Sequence, residues 1–284
     1  MATGGSDAAS LTTLESVLRS SASLDEFTSL VADFLESDSG FTTYPTSAFT
    51  ALDHVMEHLE SRIFFATEVE ELIFNLKREM PHYRVLQEAY SVWETTLEQH
   101  FVSRLRAGTV SGISDYRLAN RLQRVVRREV SMLDHRPKRV LFIGSGPFPI
   151  SAIWLNRILG VSVDGIDVAP AAVRESSSLM AAIGLEKVIS LRHEPDGAYD
   201  VSDYDLIVIA LLAKPKEQIL ENIHRTARKD CTVVCRTSFG LRSLLYEPTF
   251  VSHALLEKFS IQDMRLVQGA ADDTVSSLRL QIRT

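Results

Sequence analysis

The chain has 284 residues, 45% hydrophobic and 24% charged, with a net charge of −7. This is globular composition, sized for one large domain or two small ones, and its acidic balance argues against a nucleic-acid partner, because neutralising phosphates takes a basic surface. No run of about 18 apolar residues is present, and the N-terminus MATGGSDAAS has neither the basic start nor the apolar core of a signal peptide, so no membrane partner and a cytoplasmic location are expected.

From about Leu11 to Leu133 apolar residues recur at intervals of three and four, as in LDEFTSLVADFLES and ALDHVMEHLESRIFFATEVEELIFNLKREM. This predicts an all-helical domain over residues 1–135, with roughly five or six helices. Breaks fall at ESDSGFTTYPTS, at Pro81 and at RAGTVSGISD, where Gly, Pro and Ser interrupt the period. RLANRLQRVVRREV, from Arg117 to Val130, carries five arginines on one predicted helix. It reads as a solvated face, a bridge to a neighbouring domain, or an attractor for an amino-acid carboxylate.

After DHRPKR the texture changes to short β-branched runs alternating with helical segments: RVLFIG, a helix from Ile150, VSVDGIDV, a helix from Pro170, VISLRHE, YDLIVIAL, a helix from Lys216, and CTVVCRT. Buried strands separated by helices predict a doubly wound parallel α/β sheet over residues 136–284. FSIQDMRLVQ and TVSSLRLQIRT then follow each other without a helix, which predicts an antiparallel edge pair. That addition resembles the Rossmann-like domains of class I methyltransferases. Cys231 and Cys235 alternate within one apolar run and read as core residues on one strand face. None of the eight histidines forms a ligand cluster, and no metal cofactor is expected.

The stretch RVLFIGSGPFPIS carries the first chemical signal. In an open parallel sheet the ligand lies beyond the carboxyl ends of the strands, and the loop after the first strand must let backbone approach it. Gly144 and Gly146 permit that approach. A dinucleotide fingerprint needs a third glycine at position 149, where this chain has Pro149, so a pyrophosphate is disfavoured. A G-x-G loop with Asp167 placed 23 residues after Gly144 suits an adenosine ligand whose ribose hydroxyls meet the carboxylate. S-adenosyl-L-methionine is the candidate, with Gly144, Ser145, Gly146, Pro147 and Asp167 around it. For the adenine amine, Glu194 or Asp196 at the end of the third strand is the expected acceptor, or each is a solvated loop carboxylate.

VLFIGSGPFPIS, DYDLIVIALLAKPKEQIL, CRTSFGLRSLLYEP and WETTLEQHF together resemble the nicotianamine synthase family, over residues from about 85 to about 250. The resemblance implies that an amine attacks the γ-carbon of the methionine arm, transferring 3-amino-3-carboxypropyl and leaving methylthioadenosine. It also implies Glu94, the first glutamate of the helix pattern, as general base. Glu94 and Glu98 lie one turn apart, beside an apolar stripe of Trp93, Leu97 and Phe101, and also read as solvated surface glutamates. Tyr116 falls where relatives carry tyrosines near the reaction centre. It is expected to bond the substrate or lay its ring by the sulfonium. Arg236 and Arg242 are candidates for the carboxylate of the methionine arm, or are paired to structural carboxylates. Tyr246 reads as pocket wall or core. The helical domain is expected to cover the active site.

The expected substrates are therefore small molecules: S-adenosylmethionine as donor, and an amino acid or amine as acceptor. Three alternatives are open on the sequence: closure of the donor's own α-amine on its γ-carbon to give azetidine-2-carboxylate, ordinary methyl transfer, and a catalytically silent adenosylmethionine-binding or assembly module.

Overall fold

The computed structural model describes residues 23–37, 46–76, 82–195, 199–249, 251–269 and 271–283. They fall into two compact units: Met1–Glu94 with Phe239–Glu247 and Val267–Thr274, and Thr95–Ser238 with Pro248–Leu266 and Val275–Thr284.

The first unit is helical, with α1 (Leu24–Ser37), α2 (Thr46–Phe64), α3 (Glu68–Leu76), the first half of α4 (Tyr83–Arg106) and a 3₁₀ helix at Gly240–Leu244. Its core is the stripe that helical spacing predicts: Phe27, Val31 and Leu35 from α1, Leu52, Val55, Met56, Leu59 and Ile63 from α2, and Leu86, Tyr90 and Trp93 from α4, all buried. The apolar pattern running through residues 51–80 is cut at Thr67. There Thr67 and Glu70 cap each other's backbone: Glu70 Oε2 accepts from Thr67 N at 2.8 Å, and Thr67 Oγ1 accepts from Glu70 N at 3.2 Å. The breaks expected at ESDSGFTTYPTS and Pro81 fall wholly or partly on residues 38–45 and 77–81, outside the described residues.

Arg242 is buried in this unit. Its guanidinium donates to the carbonyls of Gly269 at 2.7 Å, Ala271 at 3.0 Å and Asp273 at 3.3 Å, and lies over the Phe64 ring. Burial lowers its pKa. These bonds tie the 267–274 segment to the 3₁₀ turn.

The second unit is a seven-stranded sheet of order β3-β2-β1-β4-β5-β7-β6. Strands β1 (Val140–Ile143), β2 (Val163–Asp167), β3 (Ile189–His193), β4 (Leu206–Ile209) and β5 (Thr232–Thr237) are parallel. β7 (Ser276–Ile282) inserts antiparallel between β5 and β6 (Phe259–Arg265). β1 and β4 read VLFI and LIVI and are buried throughout, as strands covered on both faces must be. One face packs against the second half of α4, α5 (Ala119–Val130), α6 (Ile150–Leu159) and α7 (Pro170–Ala182). The other packs against α8 (Lys216–Thr226) and α9 (His253–Lys258), and Cys231 and Cys235 both point into it. Burial pushes the Cys231 thiol up to about 12, as an inert core residue requires.

This is the doubly wound Rossmann-like sheet with the antiparallel pair that the alternating pattern predicts. Strand order reverses between β1 and β4, so the loop after β1 opens at the switch point where such sheets bind ligands. Among the described residues no helix is long and apolar enough to cross a membrane.

Candidate active site

The loop after β1 is built on two glycines in the left-handed region, Gly144 at φ 83° and Gly146 at φ 65°. At Gly144 space forbids a side chain as well. A Cβ on Gly144 would stand 2.9 Å from Cβ of Ala213 and 3.1 Å from that of Ala210. One on Gly146 would stand 2.9 Å from Glu98 Oε2, so the carboxylate of α4 lies directly over the loop. Gly144 and Ser145 donate their N–H groups to the Ile166 carbonyl at 2.9 and 3.1 Å, folding the loop back across the end of β2. Gly165 makes room for this: a Cβ there would meet Leu191 Cδ2 at 2.5 Å and Ser145 Cβ at 3.2 Å. Ser145 Oγ is buried and has no hydrogen-bond partner among the described residues.

Asp167 closes the loop. Its Oδ2 accepts from Gly146 N at 2.8 Å and its Oδ1 from Ala169 N at 2.9 Å. Each carboxylate oxygen carries two lone pairs, so these two bonds orient the group and leave acceptor capacity for hydroxyls of a ligand. Glu194 follows the adjacent strand, its N–H bonded to the Asp167 carbonyl at 3.0 Å and its carboxylate 3.7 Å from Arg192 Nε. Burial, reinforced by the Glu194 charge, pushes the Tyr199 hydroxyl up to about 12. Gly144, Ser145, Gly146, Asp167 and Glu194 therefore converge at the ends of β1, β2 and β3. Asp196 lies outside the described residues.

Pro147 and Pro149 are buried, and Phe148 between them is the loop's anchor. Its ring packs on Phe101 at 4.9 Å and edge-on against Tyr116 at 5.0 Å, while Phe101 and Tyr116 are 5.1 Å apart. Tyr116 thus meets the loop through its ring, and Phe101 holds the segment between the prolines to α4. On the other side of the loop Lys216, at the start of α8, donates to the carbonyls of Ala210 at 2.7 Å, Leu211 at 2.8 Å and Ala213 at 3.2 Å. It ties down the loop that lies against Gly144.

Arg236 is held by protein groups. It is 3% exposed, and its Nε and Nη2 donate to the two oxygens of buried Glu129, each at 2.9 Å. Its Nη1 donates to Ser151 Oγ at 2.9 Å. Three of its five N–H donors are thus engaged with protein groups, two of them with a carboxylate 107 residues away, which nothing in the local sequence marks. Arg242 likewise donates to protein groups, the three carbonyls of the 267–274 segment.

In the first unit Glu94 is partly buried and its Oε2 accepts from the Tyr246 hydroxyl at 2.8 Å. α4 runs on from Glu94 to Glu98 one turn later. Sequence reasoning gave no role to Lys216 or Phe148, although both lie inside the stretches it quoted, and it left Tyr246 between wall and core. Only their partners reveal them. Among the described residues no group of three His, Cys, Asp or Glu is arranged to hold a metal.

Residues 65–275 match the family described as nicotianamine synthase protein. The chain belongs to that family. Within it, the chain is 31% identical over 134 residues to probable nicotianamine synthase 3 of Hordeum vulgare, which is 44% of this chain and 38% of the relative. It is 30% identical over 138 residues to the L-histidine 2-aminobutanoyltransferase of Pseudomonas aeruginosa, 48% of this chain and 52% of the relative. The chain thus spans about four-tenths to half the length of the curated relatives it matches. In structure it is similar to MtNAS in complex with MTA and tNA, with a TM-score of 0.77, 21% identity, and coverage of 90% of this chain and 97% of that one. At this identity the likeness speaks to the fold.

Proposed function

We propose that this chain transfers the 3-amino-3-carboxypropyl group of S-adenosyl-L-methionine to the amine of a small acceptor, releasing methylthioadenosine. The observation that carries the nucleotide half is the hydrogen bond from Gly146 N to Asp167 Oδ2, 2.8 Å long, which sets a carboxylate beside a glycine loop at the switch point. Asp167 receives the ribose hydroxyls, and Glu194 or Asp196 the adenine amine. Val168, 62% exposed next to Asp167, offers an apolar surface to the base. Family membership supports the transfer half: the relatives' names give nicotianamine synthesis and 2-aminobutanoyl transfer, and MtNAS is described with MTA bound.

The chemistry asks for little beyond placement. A sulfonium activates all three attached carbons, and the nucleophile's position selects among them. The amine nitrogen forms a bond to the γ-carbon, the carbon–sulfur bond breaks, and its electron pair returns to sulfur. Glu94, as general base, takes the proton of the amine. No step requires a metal. The acceptor is an amino acid or related amine, and the reaction belongs in the cytoplasm.

The test is incubation with S-adenosylmethionine alone, with L-histidine, and with a mixture of the L-amino acids, followed by mass analysis. Methylthioadenosine released in step with an aminocarboxypropylated acceptor is expected. Methylthioadenosine with azetidine-2-carboxylate and no acceptor would replace transfer by cyclisation. Adenosylhomocysteine would replace it by methyl transfer.

A further inference from the structure

Tyr246 sits just past the 3₁₀ helix, 3% exposed, and it is held from several directions. Its ring stands edge-on to Tyr90, centroids 4.9 Å apart at 77°. Tyr90 is fixed in turn. Its hydroxyl donates to buried Glu60, and its ring lies 4.9 Å from Trp93, whose Nε1 donates to Asp53 Oδ1 at 2.8 Å. The turn that delivers Tyr246 is tied to α4 by Gln87 Nε2, which donates to the Ser243 carbonyl at 2.7 Å. It is braced as well by Arg242, through the three carbonyls it binds. A rigid phenol is thereby aimed at one atom, Glu94 Oε2.

We propose that Tyr246 is a positioning residue for the transfer reaction. By donating to one oxygen of Glu94 it fixes the plane of that carboxylate, and so the direction in which its remaining lone pairs point. Glutamate has three side-chain torsions, and a base displaced by about 1 Å loses on the order of a hundredfold in rate. A fully packed tyrosine has two torsions, both locked here by ring contacts, so the orientation is set before substrate arrives. The proposal rests on the reading of Glu94 as the general base. The sequence separates the two by 152 residues, and Tyr246 reaches α4 only because Phe239–Glu247 leaves the sheet to join the helical unit.

The experiment is a double-mutant cycle on single-turnover release of methylthioadenosine from S-adenosylmethionine in the amino-acid mixture. Donor affinity is measured by calorimetry on the parent, Tyr246→Phe, Glu94→Gln and the double variant. Tyr246→Phe is expected to lower the rate about ten- to a hundredfold with donor affinity within about twofold of the parent, and to cost nothing further in the Glu94→Gln background. Equal losses in both backgrounds, or a matching loss of donor affinity, overturn the proposal while leaving Glu94 as base. A Glu94→Gln enzyme at full rate overturns the base reading itself, and the positioning role falls with it. Should Tyr246→Phe melt below the assay temperature, 3-fluorotyrosine at 246 keeps the ring's shape and strengthens the donor. It must alter the rate in the parent and leave it unchanged in Glu94→Gln, and the same effect in both is the overturning result.

Discussion

Replacing Glu129 by alanine strips the Arg236 guanidinium of two charge-assisted bonds at 2.9 Å and leaves it only the Ser151 hydroxyl. Ser277 Oγ, which donates to Glu129 at 2.8 Å, loses its acceptor as well. A buried charge without its partner costs about 3–5 kcal/mol, and the orphaned hydroxyl adds about 1 kcal/mol. At about 2–4 °C per kcal/mol for a protein of this size, a loss of about 4–6 kcal/mol lowers the melting temperature by roughly 8–24 °C. Removing the whole pair is different, because each ion's desolvation penalty disappears with it. Glu129→Leu with Arg236→Met and Ser277→Ala is expected to melt within a few degrees of the parent. Urea denaturation followed by tryptophan fluorescence measures the stabilities, and calorimetry measures S-adenosylmethionine affinity on the triple variant. Unchanged affinity is expected if Arg236 serves the fold. A folded triple variant whose affinity has fallen a hundredfold would return Arg236 to the methionine arm.

Asp167→Ala removes the acceptor of the Gly146 and Ala169 N–H groups, and donor binding is expected to weaken at least tenfold in calorimetry; unchanged binding would take Asp167 out of the site. Gly144→Ala must adopt φ 83° with its Cβ 2.9 Å from that of Ala213. A loss on the order of 1–3 kcal/mol in urea denaturation is expected, together with weaker donor binding. Lys216→Met leaves the Ala210, Leu211 and Ala213 carbonyls without their ammonium. The Ala210 carbonyl keeps the Ala213 N–H at 3.3 Å, and the other two lose the lysine's bond. A melting temperature a few degrees lower is expected, because each part-buried carbonyl that loses its partner costs about 1 kcal/mol or more; an unchanged one would show that water takes over the lysine's role.

Local signals carried much of the architecture. Ile150, Pro170 and Lys216 start helices where the sequence reading put them, since a proline at or just before each site marks the turn into the helix. The β1 and β4 runs are apolar enough to announce strands buried on both faces. The break between α2 and α3 was present as Thr67-x-x-Glu70, a capping pattern that the continuous apolar period around it obscured. The side-chain partnerships were not legible. Arg236 and Glu129 are 107 residues apart, and Tyr246 and Glu94 are 152 apart. Both pairs depend on where the chain crosses between sheet and helices, which no local spacing encodes. Tyr116 packs its ring on Phe148, between the loop's two prolines, whereas the sequence suggested a hydrogen bond to substrate or a ring beside the sulfonium and gave no sign of Phe148 as its neighbour.

The central claim is that the nucleophile meets the γ-carbon of the methionine arm. Two preparations of S-adenosylmethionine, one carrying isotope in its S-methyl group and one in its carboxyl group, test it in parallel reactions with the amino-acid mixture. Carboxyl label is expected to move into the amine product while methyl label stays with the spent nucleoside. Methyl label in the product, with carboxyl label retained on the nucleoside, would contradict it.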